Sequence, residues 1–465
     1  MELWQFDATS IAAMVRAGKV SAVEVTRSQL ERLDAVNPMI NAVVRVLGDE
    51  AMAQAQAADE AQARGDPLGP LHGVPVTTKI TDDHAGCPTD NGIVFLKDFV
   101  AAEDSAVVAN LRRAGAIFIG RTASPAFAMR GMTSSALHGL TLNPWNPELT
   151  CGGSSGGAGA ATAVGIGAVA QGSDIGGSIR WPAHCNGIVG LRTSTGRIPS
   201  FNPNARAPRP LISQLMAVQG PLARSVRDLR LALAAMSARD TRDGMWAPLP
   251  LTGPRKRRRA AIVAAPEGIA VDPVVSEAVR AAGRYLAAAG FDVEEIEPPQ
   301  FRETTELWHP IGLPQLALSL VPALEQVADP ALTNFIRHWI DAKGVADFAG
   351  FSEALARRNT LLTLWNQFFE DYPIVVMPNC GEPFLPVELD TQGREGALRT
   401  IEGLRFQLVC PVLGLPGLSV PVVEYAGQPL GVQILAARYR EDLCLAAAEI
   451  IEENVGTPTP IDPRS

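Results

Sequence analysis

The sequence predicts an α/β fold, a layered sheet built as one large domain, and three features carry that expectation. Short apolar runs alternate with helical patterns along the whole chain, no Pro/Gly/Ser linker separates autonomous pieces, and no internal repeat is present. A chain of 465 residues with 47% hydrophobic side chains holds enough hydrocarbon for a sizeable core. Its charged fraction of 19% is too low for a disordered chain.

The elements follow in order. The first sixty residues read as helices. Ser21 is placed to cap a helix over residues 22–36, with Val23, Val25, Leu30 and Leu33 on one apolar stripe and Asn37-Pro38 as its stop. A second, Ala-rich helix over 47–64 ends at Gly65-Asp66-Pro67. Residues 74–79 read as a short strand, 106–114 as a helix and 117–120 as the next strand. Between 143 and 198 the composition turns to Gly, Ser and Ala, with one clean helical stretch over 158–170. Ser225 caps a helix that runs to about Met236. A buried strand over 260–265, a helix over 275–289 and a strand over 291–296 come next. Residues 304–370 are mostly helical and carry Trp308, Phe335, Trp339, Phe348, Phe351 and Trp365. Strands over 374–378, 418–425 and 431–435 precede a closing helix over 441–454.

Charge and composition exclude several classes of function. The net charge is −9, whereas phosphate backbones select basic surfaces, so nucleic acid is not expected as a partner. The one basic run, Arg255 to Arg259, leads straight into an apolar stretch and reads as a solvated loop before a strand. The longest apolar stretch is thirteen residues, short of the roughly 20 that span a bilayer, so no membrane is expected either. Residues 1–10 lack the basic and apolar regions of a secretory signal. Six well-separated cysteines without a C-x-x-C pair read as ordinary thiols of a reducing compartment, and the expected location is cytoplasmic. Histidines are scattered and no H-E-x-x-H occurs, so no metal site is expected.

The chemistry is concentrated in residues 151–178, CGGSSGGAGAATAVGIGAVAQGSDIGGS. Glycine this dense marks backbone held at positive φ or close to a ligand. A phosphate-cradling loop is disfavoured, because neither G-x-x-x-x-G-K-[ST] nor G-x-G-x-x-G occurs in it. Gly152 to Gly156 satisfies the G-x-S-x-G of a nucleophile elbow on Ser154, as in an α/β-hydrolase serine esterase. That elbow must follow a strand, and turn residues 143–147 precede it; it also needs a histidine, for which His184, His309 and His338 are the candidates.

The GGSSGG run, followed twenty-four residues after Ser154 by Ser178 in SDIGGSIRWP, resembles the signature of the amidase signature family of amide hydrolases. The stretch GVPVTTK ending at Lys79 resembles that family's lysine-bearing strand, and NPW at 143–145, GIVGLR at 187–192, GPLARS at 220–225 and the tail over 415–449 also look familial. The resemblance implies a central mixed β-sheet with helices on both faces. It divides the single domain, 1–465, into a helical N-terminal part (1–65), a signature core (66–235), a variable helical part (236–370) and a C-terminal part returning to the core (371–465). It further implies a Ser-Ser-Lys triad, with Ser178 as nucleophile, Ser154 as bridging serine after a cis Gly153–Ser154 bond, and Lys79 as base. The backbone amides of Ile175, Gly176, Gly177 and Ser178 would form the oxyanion hole, and Asp174 and Arg180 would orient the loop.

The residues suit these roles. A serine hydroxyl needs a neighbour to take its proton, and lysine does so only when neutral, which burial promotes. Lys79 is one of only five lysines against thirty-five arginines, and arginine cannot give up its proton. For Ser155 the expected role is a plain hydrogen bond to nearby backbone, and Cys151 and Cys185 read as small buried thiols. Two departures from the family pattern concern the pocket: Ile80 and Thr81 follow the lysine where an acid is common, and His184-Cys185-Asn186 is unusual. Trp181 and the aromatics of 308–365 suit an apolar or aryl substrate group, and equally a hydrophobic core. The implied function is hydrolysis of linear, apolar or aryl carboxamides to acid and amine or ammonia through an acyl-enzyme, a reading that calls for no cofactor. The alternatives are the glutamine-hydrolysing subunit of a tRNA-dependent amidotransferase and the esterase above. The substrate is a small-molecule amide, and a homodimer is left open.

Overall fold

The computed structural model describes residues 2–205 and 207–464; Met1, Arg206 and Ser465, which fall within the segments read above, lie outside it. Thirteen strands are present among the described residues: β1 (Val43–Val46), β2 (Pro75–Lys79), β3 (Ile117–Thr122), β4 (Ser134–Ser135), β5 (Gly139–Leu140), β6 (Val169–Asp174), β7 (Val189–Arg192), β8 (Val218–Ala223), β9 (Arg259–Ile262), β10 (Asp292–Glu295), β11 (Ile374–Pro378), β12 (Gly417–Tyr425) and β13 (Gln428–Leu435). Strands β4 and β5 pair only with each other, and the other eleven form one sheet in the order β1-β3-β2-β6-β8-β7-β12-β13-β11-β9-β10. Strand β2 is parallel to β3 and to β6, and β9 is parallel to β10 and to β11; the remaining ladders are antiparallel. The predicted mixed sheet is therefore present, and its strands come from both ends of the chain.

Both faces of the sheet are buried, and the period of two along its strands shows it. In β11, Ile374 and Val376 join one apolar cluster while Val375 and Met377 join the other. The first cluster is covered by helices that include Ala22–Ile40, Val226–Met236, Pro273–Ala288 and Glu441–Val455, through side chains such as Leu33, Leu229, Val279 and Ile451. The second is covered by the helical stretch 301–371, through Trp308, Ile336, Leu361 and Trp365. Ser21 and Ser225 cap their helices as predicted, accepting from Glu24 N–H and Asp228 N–H.

Three expectations need correction. The helix begun at Ala22 runs through Pro38 to Ile40, because Asn41 adopts the left-handed conformation that ends it and Asn37 Oδ1 accepts the Ala42 and Val43 amides beyond it. The first sixty residues also include a strand, β1, paired with β3. The helix expected over 158–170 is Gly156–Ala163 and then gives way to β6; Gly165 and Gly167, at φ +84 and +74, break it.

Candidate active site

The site forms where parallel strands β2 and β6 end side by side. Lys79 is the last residue of β2 and is completely buried. Its backbone N–H donates to Gln171 Oε1 of β6 (2.8 Å), and Arg121 of β3 donates to its carbonyl (2.9 Å), so strands on both sides fix it. Its Nζ lies 2.7 Å from Ser154 Oγ, 3.1 Å from Ser155 Oγ and 3.3 Å from Ser173 Oγ. Burial drops the Lys79 pKa to about 7, against the opposing pull of the Asp82 and Asp174 carboxylates. An amine with that pKa is substantially neutral near pH 7 and able to take a proton.

Ser154 and Ser155 lie on the turn that enters helix Gly156–Ala163, after a cis Gly153–Ser154 peptide. The chain there is pressed against residues 130–132: a Cβ on Gly153 would stand 2.7 Å from both Arg130 O and Met132 N. That close approach is what the glycine permits. Ser155 N–H donates to the Ser178 carbonyl (3.2 Å), which ties the two Gly-Ser segments together.

Ser178 lies in the turn between β6 and helix Arg180–Cys185, and the loop before it is fixed from beneath by Asp174. That carboxylate accepts from Gly177 N–H (2.9 Å), Ile179 N–H (3.3 Å), Arg180 Nε (3.1 Å) and Arg192 Nη1 (3.1 Å). Burial alone would raise the Asp174 carboxyl, but the guanidinium groups of Arg180 and Arg192 hold it well below the usual carboxylate range. Arg192, on β7, is a member of this buried cluster that the sequence reading missed. Of the four amides expected at an oxyanion hole, that of Gly177 is engaged by Asp174. The Ile175, Gly176 and Ser178 N–H groups donate to no acceptor among the described residues. Gly177 sits at φ +109, and a Cβ there would stand 2.6 Å from Gln407 Cβ.

Lys79 and Ser154 are thus in direct contact. Ser178 is joined to them through its backbone, and its half-buried hydroxyl makes no hydrogen bond among the described residues. Ser178 lines a partly open cleft together with Gly153, Ile175 and Gly176. The cleft's far wall is aromatic. Trp308 and Trp339 stack at 4.9 Å between ring centroids, Phe335 packs on Trp339, and Trp308 Nε1 donates to Ile175 O (3.0 Å), locking that wall to the loop beside Ser178.

The chain matches the amidase family model over residues 24–445. It belongs to the amidase signature family. Its relatives include the indoleacetamide hydrolase of Bradyrhizobium diazoefficiens, 46% identical over 457 residues that cover 98% of this chain and 87% of that protein. An acylamidase of Rhodococcus erythropolis is 32% identical, with 96% of this chain and 94% of that one covered. The solved structure of 6-aminohexanoate cyclic dimer hydrolase complexed with substrate superposes with a TM-score of 0.84 at 29% identity, over 100% of this chain and 99% of that one. A bacterial aryl acylamidase of the same family superposes with a TM-score of 0.83 at 26% identity, covering 98% and 96%. The protein is accordingly an amide hydrolase.

Membership in the amidase signature family sorts the remaining residues. Asp82, three residues after Lys79, is a buried acid whose carboxylate accepts from Gln171 Nε2 (3.1 Å) and Gln219 Nε2 (2.7 Å). The esterase alternative lacks its geometry: among the described residues no strand leads into Ser154, and no histidine ring meets a serine hydroxyl. His184 faces the Pro383 and Gly431 carbonyls, and His309 meets Trp339. Cys151 and Cys185 are buried thiols whose pKa burial raises, to about 12 for Cys151, so neither is a ready nucleophile. The aromatics divide: Phe348 is exposed, Trp181 and Trp365 are buried and outside the cleft lining, and Trp308, Phe335 and Trp339, themselves members of the second apolar cluster, line the cleft. Ser155 bonds backbone as expected, donating to Ser173 O (3.4 Å), but it also meets Lys79. Ser173 was missed altogether; as the residue two after Gln171 it shares that residue's side of β6, a period-two signal legible only once β6 is known as a strand. No helix among the described residues is long and apolar enough to cross a membrane.

Proposed function

We propose that the protein hydrolyses arylacetamides, indoleacetamide foremost, to the carboxylic acid and ammonia through an acyl-enzyme on Ser178. The observation that carries the reading is the cleft, which runs from an aromatic wall of Trp308, Trp339 and Phe335 to the Ser178 hydroxyl and the free amides beside it. A planar ring against that wall leaves a side-chain carboxamide directed at Ser178. The 46% identical indoleacetamide hydrolase supports the same substrate class.

Ser178 Oγ attacks the amide carbon while its proton passes to Ser154 and from Ser154 to neutral Lys79. The oxyanion is held by the Ile175, Gly176 and Ser178 amides, which need no reorganisation to receive it. Collapse of the tetrahedral adduct breaks the C–N bond, and the proton returns through Ser154 to the departing nitrogen, which leaves as ammonia. Water then attacks the ester, giving its proton to the same relay, and the carboxylic acid departs as Ser178 regains its hydrogen. The six cysteines, all unpaired and buried, support a reducing compartment such as the cytoplasm.

The test compares kcat/KM for indoleacetamide, acetamide and glutamine. Burying an aromatic group of roughly 150 Å² at about 25 cal/mol per Å² predicts a preference for indoleacetamide over acetamide on the order of 100-fold or more. Glutamine as the best substrate would overturn the reading in favour of an amidotransferase subunit, a class that the apolar wall disfavours.

A further inference from the structure

A neutral amine has two N–H bonds and one lone pair, and Lys79 Nζ has one partner for each. The three partners are the hydroxyls of Ser154, Ser155 and Ser173, at 2.7, 3.1 and 3.3 Å. Their roles are not interchangeable. The Ser155 hydroxyl hydrogen is directed to the Ser173 carbonyl (3.4 Å), and its oxygen also takes the Ser173 N–H (3.4 Å). Ser155 therefore meets Lys79 as an acceptor. Ser173 Oγ has Lys79 as its one polar partner among the described residues, and Ser173 lines a second cleft with Asp82, Gln219 and Arg209. Its hydrogen is free to turn to water in that cleft, leaving its oxygen to accept from Lys79. With both N–H bonds taken by Ser155 and Ser173, the remaining lone pair faces Ser154, the nearest of the three.

The geometry points to Ser155 and Ser173 as positioning residues that orient the lone pair of neutral Lys79 onto the Ser154 hydroxyl. The inference rests on Lys79 being the base. It adds that the base is aimed by two serines which neither touch substrate nor relay the proton. Without Ser173, one N–H loses its acceptor, the amine can rotate, and the fraction of time its lone pair meets Ser154 falls. The ammonium form, which places a charge-assisted hydrogen bond on the same oxygen, loses more than the amine does. The charged groups around Lys79 stay in place: Asp82 on the following loop, Asp174 at the end of β6, and Arg121 on β3 at the Lys79 carbonyl.

The experiment measures kcat, KM and the pH profile of kcat/KM for Ser173→Ala, Ser173→Thr and Lys79→Arg in the full-length protein. A second readout, the pH dependence of inactivation by a serine-directed phosphonate, reports activation of Ser178 without amide binding. Ser173→Ala is expected to lose at least tenfold in kcat with KM within about twofold of wild type. The acid limb should move to lower pH in both readouts, and Ser173→Thr, which keeps the hydroxyl, should restore rate and profile. Wild-type kcat and profile in Ser173→Ala, or a loss that Ser173→Thr does not restore, would overturn the positioning role. Lys79→Arg separates the two levels: if it stays active, the base assignment itself fails. If it is inactive while Ser173→Ala behaves as wild type, only the positioning role fails.

Discussion

Lys79 is completely buried, and among the described residues its amine has only hydroxyls and no carboxylate as hydrogen-bond partners, a combination that holds it near neutrality at pH 7. The proposed mechanism uses the unprotonated amine, so kcat/KM is predicted to rise with pH through about 7 and then level off. Below that point the ammonium dominates and the rate should fall about tenfold per pH unit. A profile already flat at pH 5 would mean that Lys79 is not the base. Lys79→Arg keeps the charge but cannot surrender the proton, so it should be close to inactive. Ser178→Ala should lower kcat on the order of 10⁴ to 10⁶, by analogy with other serine nucleophiles that act as part of a unit, while leaving the unfolding transition unchanged. Lys79, Ser154 and Ser178 were singled out in the sequence because the Gly-Ser signature and a rare lysine pointed to them. Ser173 was not, since a serine in a glycine-rich run carries no mark of its own until the strand is known.

At the scale of the element, the loop 175–178 is shaped by what lies beneath it. Asp174 with Arg180 and Arg192 is a fully buried charge cluster, and removing the one carboxylate leaves two guanidinium groups facing each other without compensation. Asp174→Asn is predicted to destabilise the fold by about 3–5 kcal/mol, as is typical for breaking a buried pair from one side. Denaturant unfolding measures that loss, and an unchanged midpoint would show the cluster to be dispensable. Gly177→Ala acts differently. Its Cβ meets Gln407 and its φ suits only glycine, so the loop must shift and the amides beside Ser178 with it. The expected result is a fall of about 100-fold in kcat, the scale of losing one oxyanion donor, with a smaller change in KM. Elements with conventional signals were readable in advance: strand β11 was foreseen over its full extent, and the Ser225 cap placed its helix. Strands β6, β7 and β8 were not, because VAQGSD, VGLR and VQGPLA are short, rich in glycine and carry little alternation. Pro221 within β8 argues against a strand by ordinary rules, yet its partner Gln171 on β6 and its neighbour Gly220, with no room for a Cβ beside Leu191 O, accommodate it there.

At the scale of the whole molecule, the sheet carries the lysine and the two serine turns, while the helical stretch 301–371 brings the aromatic wall across to face them. The resemblance that pointed to Lys79, Ser154 and Ser178 matched this stretch poorly, so the cleft-lining residues were legible only as a list of aromatics that could equally be core. Packing decides among them: Trp308 bonds the Ile175 carbonyl and stacks on Trp339, whereas Trp365 is turned inward to Thr304. Trp339→Ala is therefore predicted to lower kcat/KM for indoleacetamide by about 10- to 100-fold, from roughly 2 kcal/mol of lost aromatic contact, and to leave acetamide hydrolysis within about threefold. Equal losses on both substrates would assign Trp339 to folding rather than to substrate choice.

The most direct test of the mechanism is to trap and locate the covalent intermediate. The protein is mixed with a slowly deacylating aryl ester or a serine-directed phosphonate, and the adduct is mapped by peptide mass spectrometry. One equivalent of adduct on Ser178, absent in Lys79→Arg at neutral pH, is the predicted result. An adduct on Ser154, or full turnover with no adduct on any serine, would contradict a Ser178 acyl-enzyme activated by Lys79.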